Sequence, residues 1–247
     1  MHVHSIRTHT IAPAAQDLYA ILNAYLPSIA DDTILVITSK IIAICQGRVV
    51  PIGAVDKQTL IEREADFFLP PSAGDYRVWL TIAGQMLAPN AGIDESNGAG
   101  HAILWPHDPQ RTANDVRAYL VRRFGVARVG VLVTDSRPVP LRWGVTGVAL
   151  AHSGFLAIND YRGTPDLFGR PLTMTQVNVA DALAAAAVLV MGEGAEQTPL
   201  ALIGGAPFVA FQDRDPSDLE LQALQIGLED DLYAPLLTSV PWQRGRR

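Results

Sequence analysis

The chain lacks several features that would place it in a common class. Cys45 is the single cysteine in 247 residues, which excludes an internal disulfide and is typical of a reducing compartment. No apolar run reaches the ~18 residues of a membrane span, and the N-terminal residues do not form a signal-peptide pattern. We therefore expect a cytoplasmic protein with no membrane partner.

Positive charge is also scarce. Lys and Arg number 19 against 25 Asp and Glu, which gives a net charge of −6 and an isoelectric point near 5.4. Because a nucleic-acid backbone requires a positive protein face, we expect no nucleic-acid partner. Hydrophobic residues make up 49% of the chain, which is enough for a large folded core.

The common nucleotide and nucleophile motifs are missing. The sequence contains no P-loop pattern of Gly, four residues and Gly-Lys-Ser/Thr. Gly192-Glu193-Gly194 lacks the third glycine of a Rossmann fingerprint, and Ser153 lacks the surroundings of a hydrolase nucleophile. The sequence therefore predicts none of these three site types.

One apolar run ends on chemically active residues. Residues 129–134 form a predicted buried strand, and Asp135, Ser136 and Arg137 follow it. A carboxylate and hydroxyls are hard ligands for divalent cations, and a guanidinium matches phosphate. The same residue types favour turns and helix starts, so the residues alone leave a capped turn and a ligand site both open.

A second polar stretch lies upstream. The loop at 92–97 carries Asp94, Glu95, Ser96 and Asn97, whose oxygens suit Mg²⁺ or Mn²⁺ and whose amide can contact a nucleotide. A solvated acidic loop is the alternative interpretation. If the two stretches converge, they form a site in which one or two cations bridge phosphate oxygens.

Hydrophobic spacing predicts a mixture of helices and strands. We predict helices at 17–25, 62–68, 112–124, 178–190 and 219–228, strands at 33–38, 49–52, 78–82, 129–134, 144–151, 173–179 and 199–205, and loops at 70–74 and 90–100. Asn178 is the expected N-cap of its helix, the glycine-rich strand at 144–151 indicates close packing, and we expect the basic end at 242–247 to be frayed.

Five groups of residues, taken together, carry a family resemblance. They are 37–42 with 47–50, 91–97, 133–136, 160–163 with 166–171, and 179–181 through 191–193. In this order they resemble the coenzyme F-420-0:L-glutamate γ-ligase family, and most closely its branch labelled as folate-metabolism γ-glutamate ligases. The resemblance spans roughly residues 33 to 205.

The resemblance implies an α+β fold in two interleaved parts, assembled as an intertwined homodimer. It implies a ligase domain at 1–212, followed by a helical extension with a basic tail at 213–247. The implied activity is amide formation driven by GTP or another nucleoside triphosphate. A carboxylate acceptor is phosphorylated, and the amine of L-glutamate displaces the phosphate.

The resemblance also implies a ligand set. Asp94 and Asp135 would hold one Mg²⁺ or Mn²⁺, Ser136 and Glu193 a second, and a K⁺ ion could join them. The nucleotide, GTP by this resemblance, would be bound by residues from three regions of the chain. These residues are Ser39, Lys40, Arg48, Asn97, Met191, Gly192 and Gly194.

Two departures from the family pattern bear on function. Ile44 stands where a nucleotide-contacting lysine is usual, which leaves Lys40, Arg48, Arg137 and Arg142 to supply phosphate-directed charge, the last two as predicted catalytic residues. The segment 137–143 differs from the family's usual sequence and is expected to face the acceptor. F-420-0, a folate or another small carboxylate remain alternatives, as does a metal-nucleotide binding protein without turnover.

Overall fold

A computed structural model describes residues 1–14, 16–71 and 78–247 of the chain. Its helices are α1 Leu18–Tyr25, α2 Ser39–Cys45, α3 Lys57–Glu64, α4 Pro109–Phe124, α5 Val179–Met191, α6 Asp218–Ala223 and α7 Ala234–Leu237, with a 3-10 turn at Pro89–Gly92. Its strands are β1 His2–Ile6, β2 Thr33–Thr38, β3 Val49–Pro51, β4 Phe67–Leu69, β5 Leu80–Ala83, β6 Met86–Leu87, β7 His101–Ile103, β8 Val129–Pro138, β9 Val145–Ser153, β10 Ile158–Asp160, β11 Gln176–Asn178, β12 Leu200–Gly204 and β13 Gln243–Arg244. Within these ranges, none of the helices has the length and apolar character needed to traverse a bilayer.

A five-stranded sheet organises the fold, in the order β1-β12-β2-β8-β9. The pair β2 and β8 is parallel, and every other pair in this sheet is antiparallel. Alternate residues of β2 enter different cores. Leu35 and Ile37 pack with α1, α2 and α4, whereas Ile34 and Val36 pack with α5. Because both faces of the sheet are covered, β2 and β8 each contain an uninterrupted apolar run, at residues 34–37 and 129–133.

Smaller sheets lie outside this central sheet. One has the order β13-β4-β5-β6, and β3 pairs with β7 and β10 with β11. A separate core around Phe68 and Trp105 packs behind the four-stranded sheet. The mixture of parallel and antiparallel pairing with helices fits the predicted α+β class.

Two expected details of local packing are confirmed. The Asn178 side chain accepts a hydrogen bond from the Asp181 backbone N–H at 2.9 Å and so caps α5. In β9, a Cβ on Gly147 would lie 2.3 Å from the carbonyl oxygen of Ala184. Glycine therefore lets α5 approach the sheet closely at this point.

Other expectations about local structure were wrong. The predicted helix at 62–68 ends at Glu64, because Ala65 is extended and the aromatic pair Phe67 and Phe68 belongs to β4. The predicted helix at 219–228 is confined to α6. The last three residues of the loop predicted at 70–74 lie outside the described ranges.

The basic end is not frayed. Gln243 pairs with Phe68 and Arg244 with Phe67, which adds β13 to the small sheet. The backbone N–H of Gly245 also donates to the Asp66 carbonyl at 2.9 Å. Backbone pairing of this kind does not depend on side-chain periodicity, so the sequence pattern gave no indication of it.

A buried histidine predicts how stability depends on pH. His152 is 1% exposed, and within the described ranges neither ring nitrogen has a hydrogen-bond partner. Burial lowers the pKa of His152 to about 4, so the folded state favours the neutral ring. Below the unfolded pKa of about 6.5 the unfolded chain binds a proton that the folded chain refuses, and stability falls as the pH drops towards 4.

The variant His152→Phe should therefore lose less stability in acid than the wild type. Urea unfolding at pH 7 and pH 5 should show a decrease about 2 kcal/mol smaller in the variant. The exposed His107 provides the control, because His107→Gln should leave the decrease unchanged. An equal decrease in wild type and His152→Phe would contradict the prediction.

Candidate functional site

The parallel pair of strands ends at a single edge of the central sheet. Thr38 of β2 lies beside Thr134 of β8, and α2 begins at the next residue after β2. The carboxyl ends of neighbouring parallel strands are the usual ligand site of α/β sheets. This arrangement places Lys40, in the first turn of α2, near Asp135 and Ser136, which follow Thr134.

A cavity of about 400 Å³ opens at this edge, and we call it the edge cavity. Segments 8–11, 94–99 and 192–199 contribute much of its wall. The predicted site residues that line it are Lys40, Asp94, Asn97, Asp135, Ser136, Met191, Gly192, Glu193 and Gly194. Ile44, at the position where the family resemblance implies a lysine, lines it as well.

Asp94 and Lys40 form an ion pair in this cavity. The Lys40 Nζ lies 2.7 Å from the Asp94 Oδ2 and 3.1 Å from the carbonyl oxygen of Ser96. The Ser96 backbone N–H donates to Asp94 Oδ1 at 2.7 Å. Burial alone would raise the pKa of Asp94, but Lys40 and the Ser96 N–H together hold it below its usual value. Asp94 is therefore an anion at neutral pH.

Asp135 has a different environment. Its carboxylate accepts hydrogen bonds from the indole Nε1–H of Trp105 and, at 2.8 Å, from the Ser136 backbone N–H. Burial raises the pKa of Asp135 to about 6, with a smaller contribution from nearby Asp94, and the two hydrogen bonds limit the rise. A second positive charge close to Asp135 would favour its ionised form.

The opposite wall of the edge cavity is tied together by polar contacts. Ser136 Oγ donates to Glu193 Oε2 at 3.2 Å, and Asn97 Nδ2 donates to the Gly194 carbonyl at 2.9 Å. The Gly194 N–H in turn donates to Glu196 at 2.8 Å. These bonds bring together three loops that are far apart in the sequence.

The oxygens of this cavity suit divalent cations. In the described part of the chain, no three His, Cys, Asp or Glu side chains are grouped as a preformed metal cage. The cavity instead offers carboxylates from Asp94, Asp135 and Glu193 together with the Ser136 hydroxyl. Mg²⁺ commonly uses one or two carboxylates and completes its coordination with water and substrate phosphates. This donor set fits such a cation.

Four predicted site residues lie outside the edge cavity. Ser39 is buried at the start of α2, and Arg48 forms an ion pair with Glu64. Arg142 lies in an exposed loop, where it donates to the neighbouring Leu141 carbonyl at 3.2 Å. Arg137 projects to another side of the sheet edge, with Nη2 4.0 Å from Asp181.

Two contributing residues were not named individually as site residues from the sequence, although Glu196 lies in the segment 191–198, which the resemblance implies contacts the nucleotide. Trp105 comes shortly after a short strand, and in the sequence it resembles an ordinary core aromatic residue. Only its contact with Asp135 shows its relation to the site. Glu196 supports the glycine loop through Gly194, and a Cβ on Gly192 would lie 2.6 Å from the Glu196 carboxyl carbon. Gly192 has a positive φ, a conformation that glycine adopts readily. The glycine in the sequence would have indicated this arrangement only if a turn at this position had been known.

The chain matches the model of one protein family. The family described as F420-0:Gamma-glutamyl ligase aligns with residues 5–205. This range contains β2, β8, β9 and β12 of the central sheet, the end of β1, and all the segments that line the edge cavity.

Similar proteins come from methanogenic archaea. A coenzyme F420:L-glutamate ligase of Methanopyrus kandleri is 36% identical over 198 residues, which cover 80% of this chain and 72% of that protein. Proteins of the same description from Methanococcus maripaludis and Methanocaldococcus jannaschii are both 42% identical over shorter stretches. Those two alignments cover about half of each chain: 53% and 52% for the first, and 51% and 51% for the second.

The contact between Trp105 and Asp135 predicts the effect of a single substitution. In Trp105→Phe the carboxylate loses its indole donor, so the pKa of Asp135 should rise further above 6. Carboxyl carbon shifts, followed by NMR titration in the presence of a chelator, would measure this change.

Trp79→Phe is the matched control, because Trp79 packs on Phe68 in the core that also contains Trp105. Its Asp135 titration should match that of the wild type. A pKa in Trp105→Phe that is unchanged or lower would show that the indole does not stabilise the ionised carboxylate.

Proposed function

Because the chain belongs to the F420-0:Gamma-glutamyl ligase family and is therefore an amide-forming ligase, we propose that it joins L-glutamate to a small carboxylate acceptor with GTP as co-substrate. The observation that carries this proposal is the edge cavity. It combines an ammonium, several hard oxygen ligands and glycine backbone at the end of a parallel strand pair. That combination suits a metal-bound triphosphate.

The proposed reaction has two balanced steps. An oxygen of the acceptor carboxylate attacks the γ-phosphorus of GTP, and the bond to the β-phosphate oxygen breaks to give an acyl phosphate and GDP. The glutamate amine, after losing a proton, then attacks the acyl carbon and expels inorganic phosphate. The product is an amide.

The residues of the edge cavity have separate roles in this proposal. Asp94 and Asp135 would hold one divalent cation, and Ser136 with Glu193 a second, which would neutralise phosphate charge when bound. The Lys40 ammonium lies 2.7 Å from the Asp94 carboxylate. In this proposal a cation bound by Asp94 would take its place, and Lys40 would move towards the phosphates. Asn97 and the backbone at 192–194 would position the nucleotide.

We also propose that the active form is a homodimer. Two exposed segments carry large apolar side chains: Leu141 and Trp143 at the tip of β8 and β9 are 97% and 92% exposed, and Leu167 and Phe168 are 97% and 90% exposed. A second copy of the chain would cover such surfaces, which single soluble domains seldom expose together.

A metal-nucleotide binding protein without turnover is the second candidate. Ile44 lines the edge cavity with an apolar side chain where a phosphate-directed charge would assist catalysis. This candidate requires tight binding of GTP without release of phosphate. The assays below distinguish it from the ligase.

The first test is nucleotide binding in the presence of Mn²⁺. Asp135→Asn should weaken GTP binding at least tenfold in calorimetric titration, because it removes one anionic metal ligand from the edge cavity. Asp115→Asn should bind like the wild type, since Asp115 lies on the exposed face of α4, paired with Arg111. Equal affinities for wild type and Asp135→Asn would contradict the site assignment.

Product mass then separates the ligase from the binding protein. The protein is incubated with GTP, Mn²⁺, isotopically labelled glutamate, and either F-420-0 or pteroate. Glutamylated acceptor with matching phosphate release supports the ligase. GTP binding with neither product, for both acceptors, favours the binding protein.

The dimer proposal is tested by light scattering after size-exclusion chromatography. The wild type should have the mass of two chains, about 53 kDa, which is twice the 26.6 kDa of one chain. Trp143→Ser combined with Phe168→Ser should shift it towards one chain, because both substitutions remove exposed apolar area. Leu232→Ser, which alters an exposed residue of the C-terminal region, serves as control. A monomeric wild type would contradict the proposal.

A further inference from the structure

A second large cavity lies beside the first. It has a volume of about 590 Å³, larger than the 400 Å³ of the edge cavity, and we call it the outer cavity. The small sheet, β9 and the segment 224–237 line it. That last segment follows the range matched by the family model, which ends at 205, so one wall of the outer cavity is formed by sequence outside the match.

A small cavity shares lining residues with both of the larger cavities, and we call it the neck. A space of about 30 Å³ is lined by Asp135 and Ser136, which also line the edge cavity. The same space is lined by Arg137, Met86 and Leu87, which also line the outer cavity. Successive residues of β8 therefore lead from one cavity to the other. The neck has room for a group of only a few atoms, such as a carboxylate.

Arg137 lies at the mouth of the neck. Its side chain is 31% exposed, and its ion-pair contact with Asp181 is long, at 4.0 Å. The Asp181 carboxylate is already engaged by the Ala149 backbone N–H at 2.8 Å and by the Asn178 side chain at 2.8 Å. The guanidinium thus has donors available for a ligand carboxylate.

The rest of the lining of the outer cavity is mostly apolar, and its acidic side chains outnumber its basic ones. Phe67, Leu150 and Leu228 provide apolar surface, and carboxylates of Asp66, Asp181 and Asp231 outnumber the single guanidinium. Carboxylates repel a phosphate or phosphodiester, whereas they accept hydrogen bonds from ring amino groups. This wall suits a neutral ring system that carries N–H donors.

We infer that the outer cavity binds the body of the acceptor, an uncharged ring system with N–H donors, while Arg137 directs its carboxylate through the neck towards the edge cavity. This inference rests on the proposed ligase function. It names the acceptor class and its place, and it assigns Arg137 to acceptor binding. It predicts that a ring carboxylate without phosphate binds better than one joined to a phosphodiester.

Equilibrium dialysis with two probes tests the inference. Pteroate is a benzoic acid linked to an amino-substituted ring without phosphate, and F-420-0 carries a phosphodiester. The wild type should bind pteroate at least tenfold more tightly than F-420-0. Ile226→Trp, which adds bulk at a half-exposed wall position of the outer cavity, and Arg137→Gln should each raise the Kd for pteroate at least tenfold.

Two variants control for bulk and charge elsewhere. Leu232→Trp alters an exposed residue of the same C-terminal segment that does not line the outer cavity. Arg63→Gln removes an exposed charge from α3. Both should bind pteroate like the wild type. These two variants and Ile226→Trp should bind GTP with Mn²⁺ like the wild type.

The outcomes are distinct. Unchanged pteroate binding in Ile226→Trp would overturn the location, and tighter binding of F-420-0 than pteroate, or no binding of pteroate, would overturn the acceptor class. Failure of the proposed ligase function would be seen in a different measurement, as the absence of GTP binding by the wild type. Dialysis without nucleotide still decides whether the outer cavity binds the acceptor.

Discussion

The parallel pairing of β2 with β8 is the constraint on which the site depends. Because Thr38 and Thr134 are in register, the two strands end together, and the residues that follow them meet at one edge. Antiparallel pairing would have sent Lys40 and Asp135 to opposite ends of the sheet. The positions of Lys40 and Asp135 at the edge cavity depend on this register.

Charge in the edge cavity is arranged to favour an added cation. Asp94, Asp135, Glu193 and Glu196 line it, against the single ammonium of Lys40. Lys40 forms an ion pair with Asp94. Burial is the main cause that raises the pKa of Asp135 to about 6. In the proposed function, a divalent metal would lower the mutual repulsion of these carboxylates, and the phosphates of a nucleotide would supply the anions that balance the metal.

The sequence predicted the parts of this fold that have periodic burial. The buried strand β2 has the bounds expected of it, and the side chain of Asn178 caps α5 as expected. The pairing of β13 with β4 and the contact of Trp105 with Asp135 were not predicted. Each depends on backbone bonds or contacts between distant segments, which leave no local periodic signal.

The site and β8 also depend on contacts between distant segments rather than on a local periodic pattern. The strand was expected to end at Thr134, yet a bulge between Val133 and Thr134 lets it continue to Pro138 beside β9. Asp135 and Ser136 are thus held by strand pairing rather than by a turn, so the capped-turn interpretation is wrong, and the ligand site stays a prediction. The extension also carries Arg137 beyond the edge cavity, where its guanidinium faces another cavity. One continuous strand therefore links the residues of the proposed phosphate-transfer site to the outer cavity, which we infer to bind a different part of the substrate.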